Sequence, residues 1–248
     1  MENAAYVALS RQMTLRRELD IVANNIANAD TTGFKVEQLM VGTEIGERAR
    51  NDAIRPSTSF VLDNGVGRDF GQGALRQTGR DLDFGIDGEG AFFTVNDGGT
   101  GGGEAYTRDG AFTLDPQGRL VTKAGAAVQG DGGDIILDPT KGQVTVAEDG
   151  TISQAGLPVG RLTLARFETL SALSKDGDGL YRNRSNATPI EAAGAKIHQG
   201  MLEGSNVNTL TEITNMIEIS RAYESAAKMI EAVNDLSRRS VERLGRAS

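Results

Sequence analysis

From Thr209 to Leu244 the chain contains neither glycine nor proline, the two residues that most readily end a helix. At 1.5 Å per residue this stretch predicts a helix of roughly 50 Å, well beyond the usual three turns. Ile213, Ser220, Ala227, Asn234 and Val241 form one heptad row. Met216, Tyr223, Ile230, Ser237 and Leu244 form the other, and Ile219, Ala226 and Val233 widen the apolar stripe. Thr209 and Glu212 have capping-box spacing, which marks a start at Thr209. Arg238, Arg239, Arg243 and Arg246 lie where the helix dipole favours cations, a bland reason for a basic end. A stripe this long exceeds what a small β domain can cover. It requires another helix, from its own chain, from neighbours, or from both.

The other end supplies a candidate. Ala8, Leu15, Val22 and Ala29 recur in one row, and Ala5, Gln12, Leu19 and Ile26 in its companion. The small residues permit close approach of a second helix, while Arg11, Arg16, Arg17 and Glu18 keep the rest solvated. Asn28, Asp30, Thr31, Thr32 and Gly33 are turn formers, so the helix is expected to stop near Asn28. Periodicity alone fits equally well with an ordinary amphipathic helix on its own domain.

Residues 36–80 carry little periodicity and are expected as an extended connector with short strands at most. Within 81–198 the pattern changes to short β runs: Ala91–Val95, Ala111–Leu114, Arg119–Thr122, Ile135–Leu137, Gln143–Val146 and Val159–Phe167. Phe112 with Leu114, Val144 with Val146, and Leu162 with Leu164 should each share a face. Asp115-Pro116-Gln117-Gly118 places proline and glycine where a hairpin turn uses them. The expected fold class is α+β, with terminal helices in 1–35 and 199–248 around a mostly antiparallel β domain. Gly98–Gly103 is expected as a mobile surface loop. With an apolar fraction of 38% and 32 glycines in 248 residues, the buried core should be modest and the turns many.

The chemistry expected of an enzyme is missing. A net charge of −8 without a basic cluster argues against nucleic acid. The absence of cysteine excludes thiolate chemistry and disulfides. No run of about 18 apolar residues suggests a membrane span, and the N-terminus has no signal-peptide apolar core. His198 has no patterned carboxylate partner and is expected to be structural or solvent-facing. Gly65-Val66-Gly67 and Gly71-Gln72-Gly73 do not complete a phosphate loop. Asp176-Gly177-Asp178-Gly179 lacks the distal bidentate acid of a calcium loop. Asp81 with Asp83, and Asp87 with Glu89, adjoin turn glycines rather than a nucleophile. No catalytic residue, cofactor or metal is expected. A secreted cell-wall-binding or hydrolytic β domain, with Asp81 and Asp83 as catalysts, is the rival reading.

Ile21-Val22-Ala23-Asn24-Asn25-Ile26-Ala27-Asn28-Ala29-Asp30-Thr31-Thr32-Gly33-Phe34-Lys35 closely resembles the N-terminal signature of flagellar rod and hook proteins. The resemblance continues through Leu82–Phe93, Tyr106–Phe112 and Gly118–Thr122. It resumes at Gly200-Met201-Leu202-Glu203-Gly204-Ser205-Asn206-Val207 and runs into Glu212, Met216-Ile217 and Arg221-Ala222-Tyr223-Glu224. Within that family the short length, with Pro158–Leu162 and Leu202–Val207, is most similar to proximal-rod members, and the distal-rod paralogue is the competitor.

The resemblance implies a structural, non-enzymatic subunit of the basal-body rod. Its partners would be itself, other rod subunits and the flagellar type III export apparatus, and it would reach the periplasm without a cleaved signal. It implies that the terminal helices pair as an antiparallel coiled coil, the assembly layer; because a long helix with an incomplete apolar face is marginal by itself, the termini are expected to be largely disordered before assembly. The expected interface comprises Leu15, Leu19, Val22, Asn25, Ile26, Asn28, Ala29, Gly33 and Phe34 at one end. At the other it comprises Ile213, Met216, Ile217, Tyr223, Ala227, Ile230, Val233, Val241 and Leu244.

Overall fold

The computed structural model describes residues 2–45, 59–98 and 103–245. The chain is α+β and divides into two compact units. One consists of Met1–Ala27, Glu37–Arg68 and Asn208–Ser248; the other consists of Asn28–Val36 and Asp69–Val207. Each is described separately.

The first unit holds two helices and a ribbon. Helix α1 spans Glu2–Ala27 and gives way to a turn at residue 28, where the turn formers begin. Helix α2 spans Thr209–Gly245, 37 residues. Its start differs from the capping-box expectation. Asn208 is the cap, its Oδ1 accepting the Leu210 and Thr211 amides at 3.1 and 3.2 Å. Asn208 has the short side-chain oxygen that reaches those unsatisfied amides, and the Glu212 carboxylate is engaged elsewhere.

Strands β1 (Glu37–Ile45) and β2 (Ser59–Arg68) pair antiparallel, with a register shift between Leu39 and Val41. This long ribbon replaces the sparsely structured connector expected over 36–80.

The second unit is a mostly antiparallel β structure, as the alternating runs predicted. It includes β3 (Leu75–Gln77), β4 (Phe84–Asp87), β5 (Ala91–Asn96) and β6 (Glu104–Thr107). A ten-stranded sheet carries β5 at its centre, paired with β6, with Ala127–Gly130 and with Leu164–Arg166. Alternation along β5 sends Phe93 and Val95 into one apolar cluster with Phe112, Leu120, Ile152 and Leu162. Phe92 points into a second cluster with Phe70, Tyr106, Phe167 and Tyr181. A strand covered on both faces reads as a continuous apolar run, which is why Ala91–Val95 was conspicuous in the sequence.

Phe112, Val144, Leu162 and Leu164 enter the first cluster, with Leu114 and Val146 packed against it, so each expected pair shares a face. Asp115–Gly118 forms the expected hairpin turn. Gly118 N–H donates to Asp115 O at 2.9 Å, and Gly118 takes φ +80°. Ile135–Leu137 is not a full strand; it contributes an isolated bridge between Arg119 and Ile136, with backbone bonds linking Ile135 to Leu120 and Val128 and Leu137 to Gly118. Residues 99–102, within the Gly98–Gly103 stretch, lie outside the described residues.

Candidate assembly interface

In the helical unit, Leu15 and Val22 on α1 pack with Ile219 and Ala226 on α2, flanked by Leu19, Ile26, Met216, Ala222 and Tyr223. Rows predicted from periodicity therefore meet within one chain. Ile219 and Ala226 stand at the centre although heptad counting placed them beside the main rows. With 3.6 residues per turn the contact drifts off a strict seven-residue row, and small residues settle where the backbones are nearest.

Asn25 is the most deeply buried polar residue described in this unit. It is buried, its Nδ2 donates to Glu37 O at 2.8 Å and to Glu212 Oε2 at 2.9 Å, and its Oδ1 accepts the Glu37 amide at 3.0 Å. Both amide protons and the carbonyl are thus used. Glu37 also holds Arg68 Nε at 2.8 Å. A buried amide with such complete pairing fixes register better than an apolar contact can, because any slip leaves several groups unsatisfied.

The helices nevertheless keep apolar residues in solvent. On α1 these are Tyr6 at 62% exposure, Leu9 and Met13; on α2 they are Leu210 at 75%, Ile213, Ile217 and Met229. Residues 6, 9 and 13, like 210, 213 and 217, follow the spacing of one helix face. Among the expected interface residues, Ala227, Ile230 and Val233 are half-buried. The side chains of Val241 and Leu244 lie outside the described ones.

Asn28, Ala29, Gly33 and Phe34 belong to the β unit. There the N-terminal signature is clasped to the C-terminal one. Gly33 N–H donates to Glu203 O at 2.9 Å, and Asn206 N–H donates to Phe34 O at 3.4 Å. Asn206 Oδ1 accepts the Val36 amide at 2.8 Å while its Nδ2 donates to Asp69 O at 2.9 Å. One side chain thus holds residues 36, 69 and 206, three places beside which the chain enters or leaves this unit. Gly33 has φ +66°, and a Cβ there would lie 2.6 Å from the Arg108 carbonyl carbon. A Cβ on Gly73 would meet Gly204 O at 2.1 Å. Only glycine allows such close backbone contact, so these residues are packing requirements rather than parts of a phosphate loop.

A buried ion cluster lies beneath the clasp. Lys35 Nζ meets Glu203 Oε1 at 2.7 Å, Arg108 Nη1 meets Oε2 at 3.0 Å, and the Gly73 amide donates to Oε1 at 2.8 Å. Lys35 and Glu203 are each only 1% exposed. Gly71 O accepts from Lys35 Nζ at 2.7 Å and Gly88 O from Arg108 Nη2 at 2.6 Å, the Phe92 ring lies 5.5 Å from the guanidinium carbon, and Arg108 Nε is buried without a hydrogen-bond partner. Burial pulls both Lys35 and Arg108 below their ordinary values, and Glu203 opposes that pull. Sequence reasoning missed this cluster because lone charges read as solvent-facing; the available signal was a charge flanked by glycine and apolar residues in Gly33-Phe34-Lys35 and Leu202-Glu203-Gly204.

His198 pairs in register with Gly85, and its Nε2 lies 3.7 Å from Asp87 Oδ2. Asp83 is buried with Arg80 Nε at 3.7 Å and neither of its carboxylate oxygens has a hydrogen-bond partner, while Asp81 and Glu89 are exposed. Asp176 forms ion pairs with Arg182 and Arg184, so it is already compensated. Among the described residues no cluster of three or more His, Cys, Asp or Glu could hold a metal. Nor is any described helix long and apolar enough to cross a membrane.

Three family models match the chain. Residues 6–35 match "Flagella basal body rod protein", 85–154 match "Flagellar hook protein FlgE/F/G D1 domain", and 198–243 match "Flagellar basal body rod FlgEFG protein C-terminal". The chain is 57% identical over 247 residues to flagellar basal-body rod protein FlgF of Caulobacter vibrioides, covering 99% of each. It is 31% identical to FlgF of Escherichia coli, covering 95% of each, and 33% identical to FlgG of Bacillus subtilis, covering 95% of this chain and 97% of that protein. These relatives are structural rod proteins, which sets aside the hydrolytic reading. The signatures clasped in the β unit and the helices paired in the other are thus those of the flagellar basal-body rod protein family, to which this chain belongs as a FlgF-like structural subunit.

Proposed function

We propose that the chain polymerises with itself and with other rod subunits through α1 and α2, which pair as an antiparallel coiled coil and present their remaining apolar stripes to neighbouring subunits. The observation that carries this is the pair of uncovered faces, Tyr6–Leu9–Met13 and Leu210–Ile213–Ile217, left after the helices have packed on each other. The coiled-coil reading is supported by the cluster from Leu15 to Ile26 against Met216 to Ala226. It is supported too by the Asn25–Glu212 bond, which joins the end of α1 to the start of α2.

We place the subunit in the proximal rod, on the strength of the full-length similarity to FlgF proteins. The same reading has it exported through the flagellar type III apparatus into the periplasm, and family membership supports this. The test is a strain carrying Leu9→Asp or Ile213→Asp as its sole copy. The expected result is a folded, full-length protein in a non-motile cell without a complete rod, because a carboxylate is costly to bury in an apolar contact. Motility with either variant would overturn the proposal.

A further inference from the structure

On the face of the main sheet that carries Phe92 and Tyr106, the apolar cluster ends and a polar pocket begins. Its volume is about 510 Å³, and it is lined by Thr94, Asn96, Glu104, Gln129, Asp131 and Thr163. Register explains the grouping: Thr94 stands opposite Tyr106 and Asn96 opposite Glu104, while Gln129 and Thr163 are joined by a backbone bond of 3.3 Å. The lining brings two carboxylates and no cation. Thr94 is only 3% exposed, yet its hydroxyl has no hydrogen-bond partner. A buried hydroxyl without a partner is costly, and a ligand group would relieve that cost.

The other polar atoms show what that group must be. Gln129 spends its amide protons on Asp134 Oδ1 at 2.6 Å and Ala127 O at 3.3 Å, leaving its carbonyl free to accept. Thr163 donates to Asp131 Oδ1 at 3.4 Å, and Arg161 Nη1 is 3.9 Å from Asp131 Oδ2, too far for a hydrogen bond. Asn96 Oδ1 already accepts the Gly98 amide at 3.1 Å. Burial, and then the Glu104 charge, hold the Tyr106 phenol well above its ordinary value, so it stays a neutral donor to Glu104. The pocket's charged atoms are therefore all acceptors, the Glu104 and Asp131 carboxylates with the Gln129 carbonyl beside them, and its spare donors, the Thr94 hydroxyl and the Asn96 amide, are neutral.

We propose that this pocket binds a guanidinium group, the arginine side chain of a second protein chain. A guanidinium is cationic, offers five donors in a planar fork and has no acceptor, which matches this lining. A bare metal ion does not fit, since calcium and magnesium take oxygen ligands at about 2.0–2.6 Å in cages far smaller than this pocket. An anion would face two carboxylates without a lining cation. The arginine can come from another copy of this chain, which exposes Arg11, Arg16, Arg166 and Arg221, or from a different protein.

The experiment titrates Nα-acetyl-L-arginine amide into the ¹⁵N-labelled full-length monomer, following the amides of Thr94, Asn96, Gln129 and Gly130. Saturable shifts are expected, weakened at least about fivefold in Glu104→Gln or Asp131→Asn and also weakened by added salt, which screens a partly exposed charge pair. Thr94→Val should weaken binding without lowering the melting temperature, because the hydroxyl has no partner to lose. Sedimentation velocity separates the sources. Reduced self-association in Glu104→Gln assigns the arginine to a second copy, whereas unchanged self-association with lost arginine-amide binding assigns it to another protein. The proposal is overturned by absence of saturable shifts, by equal shifts with calcium chloride, or by a Thr94→Val variant that melts lower, since its hydroxyl would then be satisfied within the chain.

Discussion

Lys35 and Glu203, separated by 168 positions, form a fully buried ion pair of 2.7 Å, and Arg108 completes the carboxylate's coordination from its other oxygen. One negative charge here serves two buried positive ones. Removing it therefore costs more than losing a surface salt bridge. Glu203→Gln is expected to destabilise the β unit by about 3–5 kcal/mol, measured by urea unfolding with near-ultraviolet circular dichroism. A loss under 1 kcal/mol would mean that water reaches the cluster.

Asn25 performs a comparable task in the helical unit with neutral chemistry. Asn25→Ala removes the bonds to Glu37 and Glu212 and leaves their buried partners unpaired, so a loss of about 1–3 kcal/mol is expected. Asn25→Asp should be worse, because it sets a second carboxylate against Glu212. Thermal unfolding checks the order, and faster exchange of the Glu37 amide in both variants checks the cause.

At Gly33 the difficulty is space as well as conformation. Gly33→Ala sets a methyl group 2.6 Å from the Arg108 backbone at a φ that L-residues rarely adopt. The expected loss exceeds the roughly 1 kcal/mol typical of an incompatible glycine replacement. Gly98→Ala, where a Cβ meets nothing within 4 Å but φ is +55°, isolates the conformational part. The two melting temperatures should differ, with Gly33→Ala the lower.

Helix α2 should be unevenly stable in the monomer. Its cluster partners run from Met216 to Ala226, whereas Glu231, Ala232, Asn234 and Asp235 are exposed. Amide exchange is expected to show protection up to about Ala226 and fast exchange beyond Ile230, because a helix without tertiary contacts is marginal in water. Uniform protection to residue 240 would contradict this and would remove the idea that the far end becomes ordered on assembly.

What could be read from the sequence was whatever depends on local chemistry. The α1 stop at Asn28, the Asp115–Gly118 turn and the alternation of Phe112 with Leu114 each need only a few neighbouring residues. The ribbon of β1 and β2 was missed because Asn64, Gly65 and Gly67 dilute its pattern and because pairing between distant segments carries no local signature. Asn208 was overlooked as a helix cap since Thr209 and Glu212 copied a capping box whose acid is bonded to Asn25 instead. The Lys35–Glu203–Arg108 cluster was beyond local reading: burial of a charge depends on partners far along the chain. Thus Gly33 and Phe34 are part of a fold-holding clasp within the β unit, whereas Ile213 and Ile217 are exposed on α2, where the proposed assembly face would use them.

That uncovered face admits a direct measurement, since the natural chain has no cysteine. With Ile213→Cys as the single thiol, maleimide labelling is compared between purified monomer and isolated basal bodies. The predicted result is rapid labelling of the monomer and protection in the rod, with an exposed control, Ser171→Cys, labelled in both. Equal labelling of Cys at position 213 in both states would contradict assembly through this face of α2.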